Sequence, residues 1–173
     1  VAEILEKIKH IPSNVADADT IMHVKYLADL PMRAVILDFG TGWGKLAISM
    51  ILACPQAEIF TFDPGTPYQN YEETVSKYLE PYTKIHFEIN NSRDYRWIED
   101  LDALSIDASH TYEDTKFEIE RFYPFVKSGG VILMHDYVVD RVDVKKAVDE
   151  YMATHPEYEI LESAGYTTVF KKL

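Results

Sequence analysis

Four residues carry the most distinctive chemistry in this chain. Asp107 and His110 stand in Leu104-Ser105-Ile106-Asp107-Ala108-Ser109-His110-Thr111-Tyr112. His135 and Asp136 stand in Gly129-Gly130-Val131-Ile132-Leu133-Met134-His135-Asp136-Tyr137. Each group follows a short apolar run, the pattern of a buried strand giving way to a polar loop. On neighbouring strands, about 5 Å apart, Asp107 and Asp136 would project into one crevice. Two carboxylates that close repel unless one is protonated or a cation lies between them. Oxygen ligands in that arrangement suit Mg²⁺ or Mn²⁺, with His135 as an extra ligand or as support for one. His110 has the right type for a general base, since an unperturbed imidazole pKa of about 6.5 lets it accept a proton at neutral pH. Plainer readings stay open. His110 could hydrogen-bond locally to Asp107 or Tyr112, and the two aspartates could hold loop amides.

A second cluster is the glycine loop Asp38-Phe39-Gly40-Thr41-Gly42-Trp43-Gly44. Glycines at a strand-to-helix turn permit positive φ and let a ligand approach the backbone. Their spacing discriminates between cofactors. A dinucleotide fingerprint, G-x-G-x-x-G, needs its last glycine three residues after the second, whereas Gly44 follows Gly42 by two. A P-loop needs G-x-x-x-x-G-K-[ST], but Phe39 occupies the first glycine position and Leu46 follows Lys45. Asp63, 19 residues after Gly44, ends the next apolar run, where an acid can accept hydrogen bonds from both ribose hydroxyls. Trp43 would pack beside a cofactor or into the helix layer.

These residues need a scaffold, and the chain alternates strand and helix patterns. Strands are expected at Ala34–Phe39, Glu58–Phe62, Lys84–Ile89, Leu101–Ile106 and Val131–Met134. Helices are expected at Lys45–Ala53, Tyr71–Leu79, Thr111–Val126 and Val142–Met152. Thr111 and Asp114 make a capping-box-like start for the third of these, and Lys127-Ser128-Gly129-Gly130 a stop. Tyr158–Glu162 and Tyr166–Lys171 flank Ser163-Ala164-Gly165 and read as a closing antiparallel hairpin. The fold class is therefore α/β: a Rossmann-like, doubly wound, mostly parallel seven-stranded sheet with helices on both faces. One domain spans 1–173, with an N-terminal helical cap over 1–30 and the core over 34–173. Ile21, Val24 and Ala28 suggest one amphipathic helix covering the site. In such sheets ligands bind beyond the C-terminal strand ends, where Asp38, Asp63, Asn90-Asn91-Ser92, Asp107 and His135-Asp136 fall. Tyr68, Tyr71, Tyr78 and Tyr82 make the segment after the second strand aromatic, which favours helix packing over a substrate wall. His10, His23, His86 and His155 lack partners in sequence and read as ordinary surface or core residues.

The loop's D-x-G-x-G-x-G form resembles motif I of the class I S-adenosylmethionine-dependent methyltransferases. Residues 34–153 resemble more narrowly a subgroup with an ID-x-SH-x-Y and HDY pattern, similar to the macrocin-type sugar O-methyltransferases. The resemblance implies that Asp38, Gly40, Thr41, Gly42, Gly44 and Asp63 bind S-adenosylmethionine, with Ser92 or Arg93 beside the adenine. It implies catalysis by His110 and Asp107, and a divalent cation held by Asp107, Asp136 and His135. Macrocin-type enzymes also place a His three residues after a metal-binding Asp, as His110 follows Asp107. They carry an acid before the second Asp, where this chain has His135, so the cation's identity is open.

Composition narrows the partners. The chain has 173 residues, 17 basic against 29 acidic, for a formal net charge of −12. Such a surface repels phosphate backbones, so the acceptor is expected to be a small molecule and not nucleic acid. No apolar run reaches the roughly 20 residues of a membrane span, and the charged N-terminal stretch does not read as a signal peptide; a cytoplasmic location is the default. The lone Cys54 makes no intramolecular disulfide and reads as a small apolar residue. The expected activity is methyl transfer to a hydroxyl oxygen. The alternatives are a non-catalytic or regulatory cofactor-binding module and, against the glycine spacing, an NAD(P)-dependent oxidoreductase. A homodimer could supply a lid over the site.

Overall fold

A computed structural model describes residues 1–65, 70–97, 99–138 and 142–173. The elements run α1 (Ala2–Ile8), α2 (Asp17–Leu27), β1 (Val35–Phe39), α3 (Lys45–Ala53), β2 (Glu58–Asp63), α4 (Tyr71–Leu79) and β3 (Ile85–Ile89). They continue with β4 (Leu101–Ile106), α5 (Tyr112–Phe122), a 3₁₀ turn (Tyr123–Phe125), β5 (Val126–His135), α6 (Val142–Met152), β6 (Tyr158–Ala164) and β7 (Thr167–Lys172). Seven strands form one sheet in the order β3-β2-β1-β4-β5-β7-β6. The first five are parallel, and β7 runs antiparallel to both β5 and β6. The sheet and its closing hairpin match the expectation from alternating strand and helix patterns.

The central strands are apolar on both faces because helices cover both. Ile36, Ile59, Ala103, Leu133 and Val169 pack with residues of α1 to α4. Leu37, Phe39, Leu104, Ile132 and Phe170 pack on the other side with α5 and α6. The strand order reverses between β1 and β4, whose C-terminal ends open a crevice there. Register brings Phe39 opposite Ile106 and Ile106 opposite Met134, so the loops after β1, β4 and β5 emerge side by side.

Two sequence expectations need correction. Helix α5 ends at Phe122, not Val126, and β5 starts at Val126, not Val131. Pro124 is the reason: it has no N–H to continue an α-helix, and it sits in the 3₁₀ turn that follows. Lys127–Gly130 therefore belongs to an irregular stretch of β5, where pairing jumps from Leu101–Val126 to Ala103–Val131. The start of α5 is as expected, with the Thr111 hydroxyl accepting the Asp114 N–H at 3.2 Å. Helix α2 is also not a lid. Ile21 and Ala28 face solvent, while Asp19, Thr20, Met22, His23, Val24 and Leu27 are buried. The helix packs against α3 and the β6–β7 hairpin, so its inner face carries polar groups that apolar periodicity overlooks. The N-terminal segment that does border the crevice is Ser13-Asn14-Val15. Cys54 is buried at the end of α3, as expected.

Candidate active site

The crevice holds two adjoining pockets, of about 310 and 430 Å³, which share Gly40, Asp63 and Asp107. The smaller pocket is lined by Phe62, Asn91, Ser92, Arg93 and Glu118 among others. The larger one is lined by Thr41, Gly42, Trp43, His110, His135, Asp136 and Tyr166 among others. The sequence-predicted residues thus fall along one continuous groove, with two exceptions.

Asp38 and Gly44 line neither pocket and lie beneath the loop. Asp38 is fully buried and accepts a 2.8 Å hydrogen bond from the Thr61 hydroxyl, which in turn lies 2.6 Å from that of Thr41. Burial pushes its pKa up to about 7 against the hydrogen bonds of Thr61 and Ser105. Asp38 therefore ties the loop to β2. Gly44, at φ +89°, leaves room for Leu79, whose Cδ2 would lie 2.9 Å from an added Cβ. Gly40, at φ +99°, sits against β4: a Cβ there would fall 1.9 Å from the Asp107 carbonyl oxygen. Only glycine lets the first loop and the fourth strand end meet, and that meeting joins the two pockets. Asp63 accepts the Gly42 N–H at 3.1 Å and the Gly65 N–H at 2.9 Å. The Tyr71 hydroxyl donates to the Gly42 carbonyl at 2.6 Å, and Trp43 packs against its ring. Trp43 thus touches both the groove and the helix layer. Tyr78 and Tyr82 pack on the core, as expected; Tyr68 lies outside the described residues.

In the larger pocket Asp107, His110, His135 and Asp136 each offer one ligand atom, all within 4.8 Å of one another. His110 Nε2 lies 3.0 Å from Asp136 Oδ2 and 3.4 Å from Asp107 Oδ1. His135 Nδ1 lies 3.1 Å from Asp107 Oδ1 and 3.5 Å from Asp136 Oδ1. Yet neither ring nitrogen of His135 completes an aligned hydrogen bond among the described residues, although both are buried. Burial works against a charged His135, but Asp107, Asp19 and Asp136 around it push its pKa up to about 10. Burial likewise raises the Asp107 carboxyl, but His110 and His135 overcome it and hold it well below the usual range. Asp136 itself has left-handed backbone, φ +61°, held by its N–H to the Tyr166 carbonyl at 2.8 Å. Two carboxylates and two imidazoles in this compass could hold a divalent cation, and the donors include nitrogen as well as oxygen.

Residues 37–137 match the methyltransferase domain family. The chain belongs to that family. It is an S-adenosylmethionine-dependent methyltransferase. Solved structures share the fold at low identity. The O-methyltransferase NovP is 18% identical, with a TM-score of 0.70 over 88% of this chain and 78% of its own. A Streptococcus mutans protein, described as a methyltransferase and solved in complex with SAH, is 12% identical, with a TM-score of 0.68 over 92% of this chain and 100% of its own. An rRNA methylase from Streptococcus thermophilus is 16% identical, with a TM-score of 0.67 over 88% of this chain and 95% of its own. No curated protein matches the chain. No described helix is long and apolar enough to cross a membrane.

Glu118 in the groove and Asp19 on α2 behind it are absent from the sequence-predicted site, while His23, expected as an ordinary surface or core residue, is a core one. Glu118, fully buried on α5, accepts from the Ser92 hydroxyl at 2.7 Å, and its Oε2 has no hydrogen-bond partner among the described residues. Burial pushes its pKa up to about 7. Its only sequence signal was an acid among the inward-facing residues of α5. Asp19 and His23 stand one helical turn apart on the buried face of α2; both are closed off from solvent, and the His23 Nδ1 lies 2.8 Å from the Asp19 carbonyl oxygen. A polar pair on a helix's buried face was the available signal.

Proposed function

We propose that this methyltransferase acts on an oxygen of a small molecule held at a divalent cation. The observation that carries the reading is the four-residue cluster, Asp107, His110, His135 and Asp136, placed beside the glycine loop in one groove. S-adenosylmethionine would lie across Gly40, with its ribose at Asp63 and its adenine in the smaller pocket near Ser92. Thr41 and Gly42 would face its amino-acid part, while Asp38 and Gly44 support the loop from below. The family match favours an enzyme over a regulatory module.

Asp107, His135 and Asp136 would hold the cation, and the two unaligned His135 nitrogens fit that role. A nitrogen donor among carboxylates favours Mn²⁺ over Mg²⁺, which prefers oxygen alone. When bound, the cation would lower the acceptor hydroxyl's pKa. His110, the more exposed of the two histidines, would take the hydroxyl proton. Asp136 and Asp107 beside its Nε2 would stabilise the resulting imidazolium. Trp43 and Tyr166 wall the larger pocket and help exclude water from the acceptor. Alignment of acceptor and methyl donor is the groove's main contribution, since the sulfonium already activates the methyl group.

The net charge of −12 favours a small acceptor over nucleic acid, despite the fold shared with an rRNA methylase. Calorimetric titration with SAH and with Mn²⁺, followed by turnover with and without chelator, tests the reading. Turnover indifferent to chelator would sink the cation, and binding of NAD⁺ in place of SAH would sink the cofactor assignment.

A further inference from the structure

Glu118 poses a problem that the cation cluster leaves unanswered. Thr115, Glu118, Ile119 and Phe122 are the buried residues of α5, and Ile119 and Phe122 pack into the core. An acid on that face gives up its hydration, which is costly unless its oxygens find partners. Oε1 has one, the Ser92 hydroxyl at 2.7 Å. Oε2 has no hydrogen-bond partner among the described residues. Arg93, in the wall of the same pocket, pairs instead with Asp114, 2.6 Å away, and lies over the Phe117 ring.

Glu118 nevertheless lines the smaller pocket, together with Phe39, Phe62, Pro64, Ala108 and Ser92. The phenylalanines, Pro64 and Ala108 offer apolar walls to the faces of a flat ring. Glu118 and Ser92, hydrogen-bonded to each other, add the polar group that can read the ring's edge. The Ser92 hydroxyl holds the carboxyl from one oxygen and leaves the other for a ligand. A carboxylate can only accept, so the edge it meets must donate. We propose that Glu118 selects the cofactor's base, its free Oε2 accepting a proton of adenine's 6-amino group. A protonated Glu118 donates instead to the ring N1 next to that group. N1 is an acceptor in adenine and carries a proton in hypoxanthine, so both forms of the acid favour a 6-aminopurine over a 6-oxopurine. The inference rests on the reading that adenine occupies the smaller pocket, and it assigns the choice of base to a helix residue behind the loop that carries Ser92.

Two ligands separate this role from simple packing: SAH, and S-inosylhomocysteine, which carries a carbonyl oxygen in place of the 6-amino group. Calorimetry at pH 8, above the Glu118 pKa of about 7, measures both. The wild type is expected to favour SAH about 10–100-fold, the weight of a hydrogen bond to a charged group. In Glu118→Gln the amide oxygen still accepts from Ser92, and the NH₂ can donate to the carbonyl oxygen of the inosyl ligand. The preference is expected to fall there to within about threefold. A packing role would weaken both ligands alike, and a ratio unchanged in E118Q would overturn the inference while the cofactor reading stands. A wild type that binds the two ligands equally would also overturn it, a result that needs no variant to fold. A wild type that binds neither would sink the cofactor reading itself, and the inference with it.

Discussion

The two halves of the groove bury acids by opposite means. In the smaller pocket Glu118 makes no ion pair among the described residues; burial raises its pKa to about 7, so near neutrality about half of it is the neutral acid. Where the two pockets meet, Asp107 stays charged because two histidines surround it. A neutral acid can donate or accept hydrogen bonds, which suits an uncharged base such as adenine. A charged cluster of carboxylates and imidazoles suits a cation. The contrast teaches that one groove can hold acids of opposite character side by side, since Gly40, Asp63 and Asp107 belong to both pockets.

Breaking the charged half should cost most. Asp136→Ala is expected to abolish turnover while SAH affinity stays within about twofold, because the lost carboxylate serves only the larger pocket. Chelator treatment of the wild type should reproduce that loss, and a D136A enzyme with unchanged turnover would dissolve the distinction between the halves. His110→Ala should lower turnover by about 10²–10⁴-fold, the usual weight of a general base. Its Mn²⁺ affinity should fall far less than that of D136A, and a comparable fall would move His110 from base to ligand. Asp63 lies where the halves meet. Asp63→Asn should weaken SAH binding about tenfold, in line with about 1.5 kcal/mol for a hydrogen bond to a charged group, with Mn²⁺ affinity unmoved.

The smallest effect concerns Glu118 in the smaller pocket. Glu118 has a folded-state pKa raised from 4.5 to about 7. Its contribution to stability is full below pH 4.5 and is lost as pH rises through about 7. Glu118→Gln should therefore flatten the fall in stability between those values. Asp38, also raised to about 7, keeps part of the slope. Urea unfolding of both proteins at pH 5 and pH 8 measures this, and parallel curves would mean that Glu118 is charged.

The central strands β1, β4 and β5 were legible because each carries a short apolar run that gives way to polar residues. The cluster was legible for the same reason: Asp107 and His135-Asp136 end adjacent strands, so chain position gave spatial position. His110 joined them because a three-residue offset curls back over the strand end. Glu118 and Asp19 were not legible, since their partners are distant in sequence: Ser92 for one, Tyr166, Thr167 and His135 for the other. Helical periodicity counts apolar residues, and a buried acid breaks that count without announcing its partner. The late start assigned to β5 has a simpler cause, because Pro124 was passed over inside an otherwise helical stretch. The resemblance implies cofactor contact for Asp38 and Gly44 as for the rest of the loop, but Asp38 is buried against Thr61 and Gly44 lies against Leu79, a distinction that needs the neighbouring helix and strand in place.

At the far side of the sheet, β6 pairs with β7 alone among the described residues, and its register slips between Ile160 and Glu162. Leu161 is thereby left without a counterpart, and the in–out alternation fails there. Ile160 and Leu161, neighbours in sequence, are exposed at 54% and 40%. A straight edge strand bearing such residues would be a template for strands of other molecules. The slip bends that template and interrupts its row of unpaired amides and carbonyls, with Glu159 and Glu162 alongside. One surplus residue thus breaks the regular alternation that edge-to-edge strand pairing requires, and its deletion is expected to restore it.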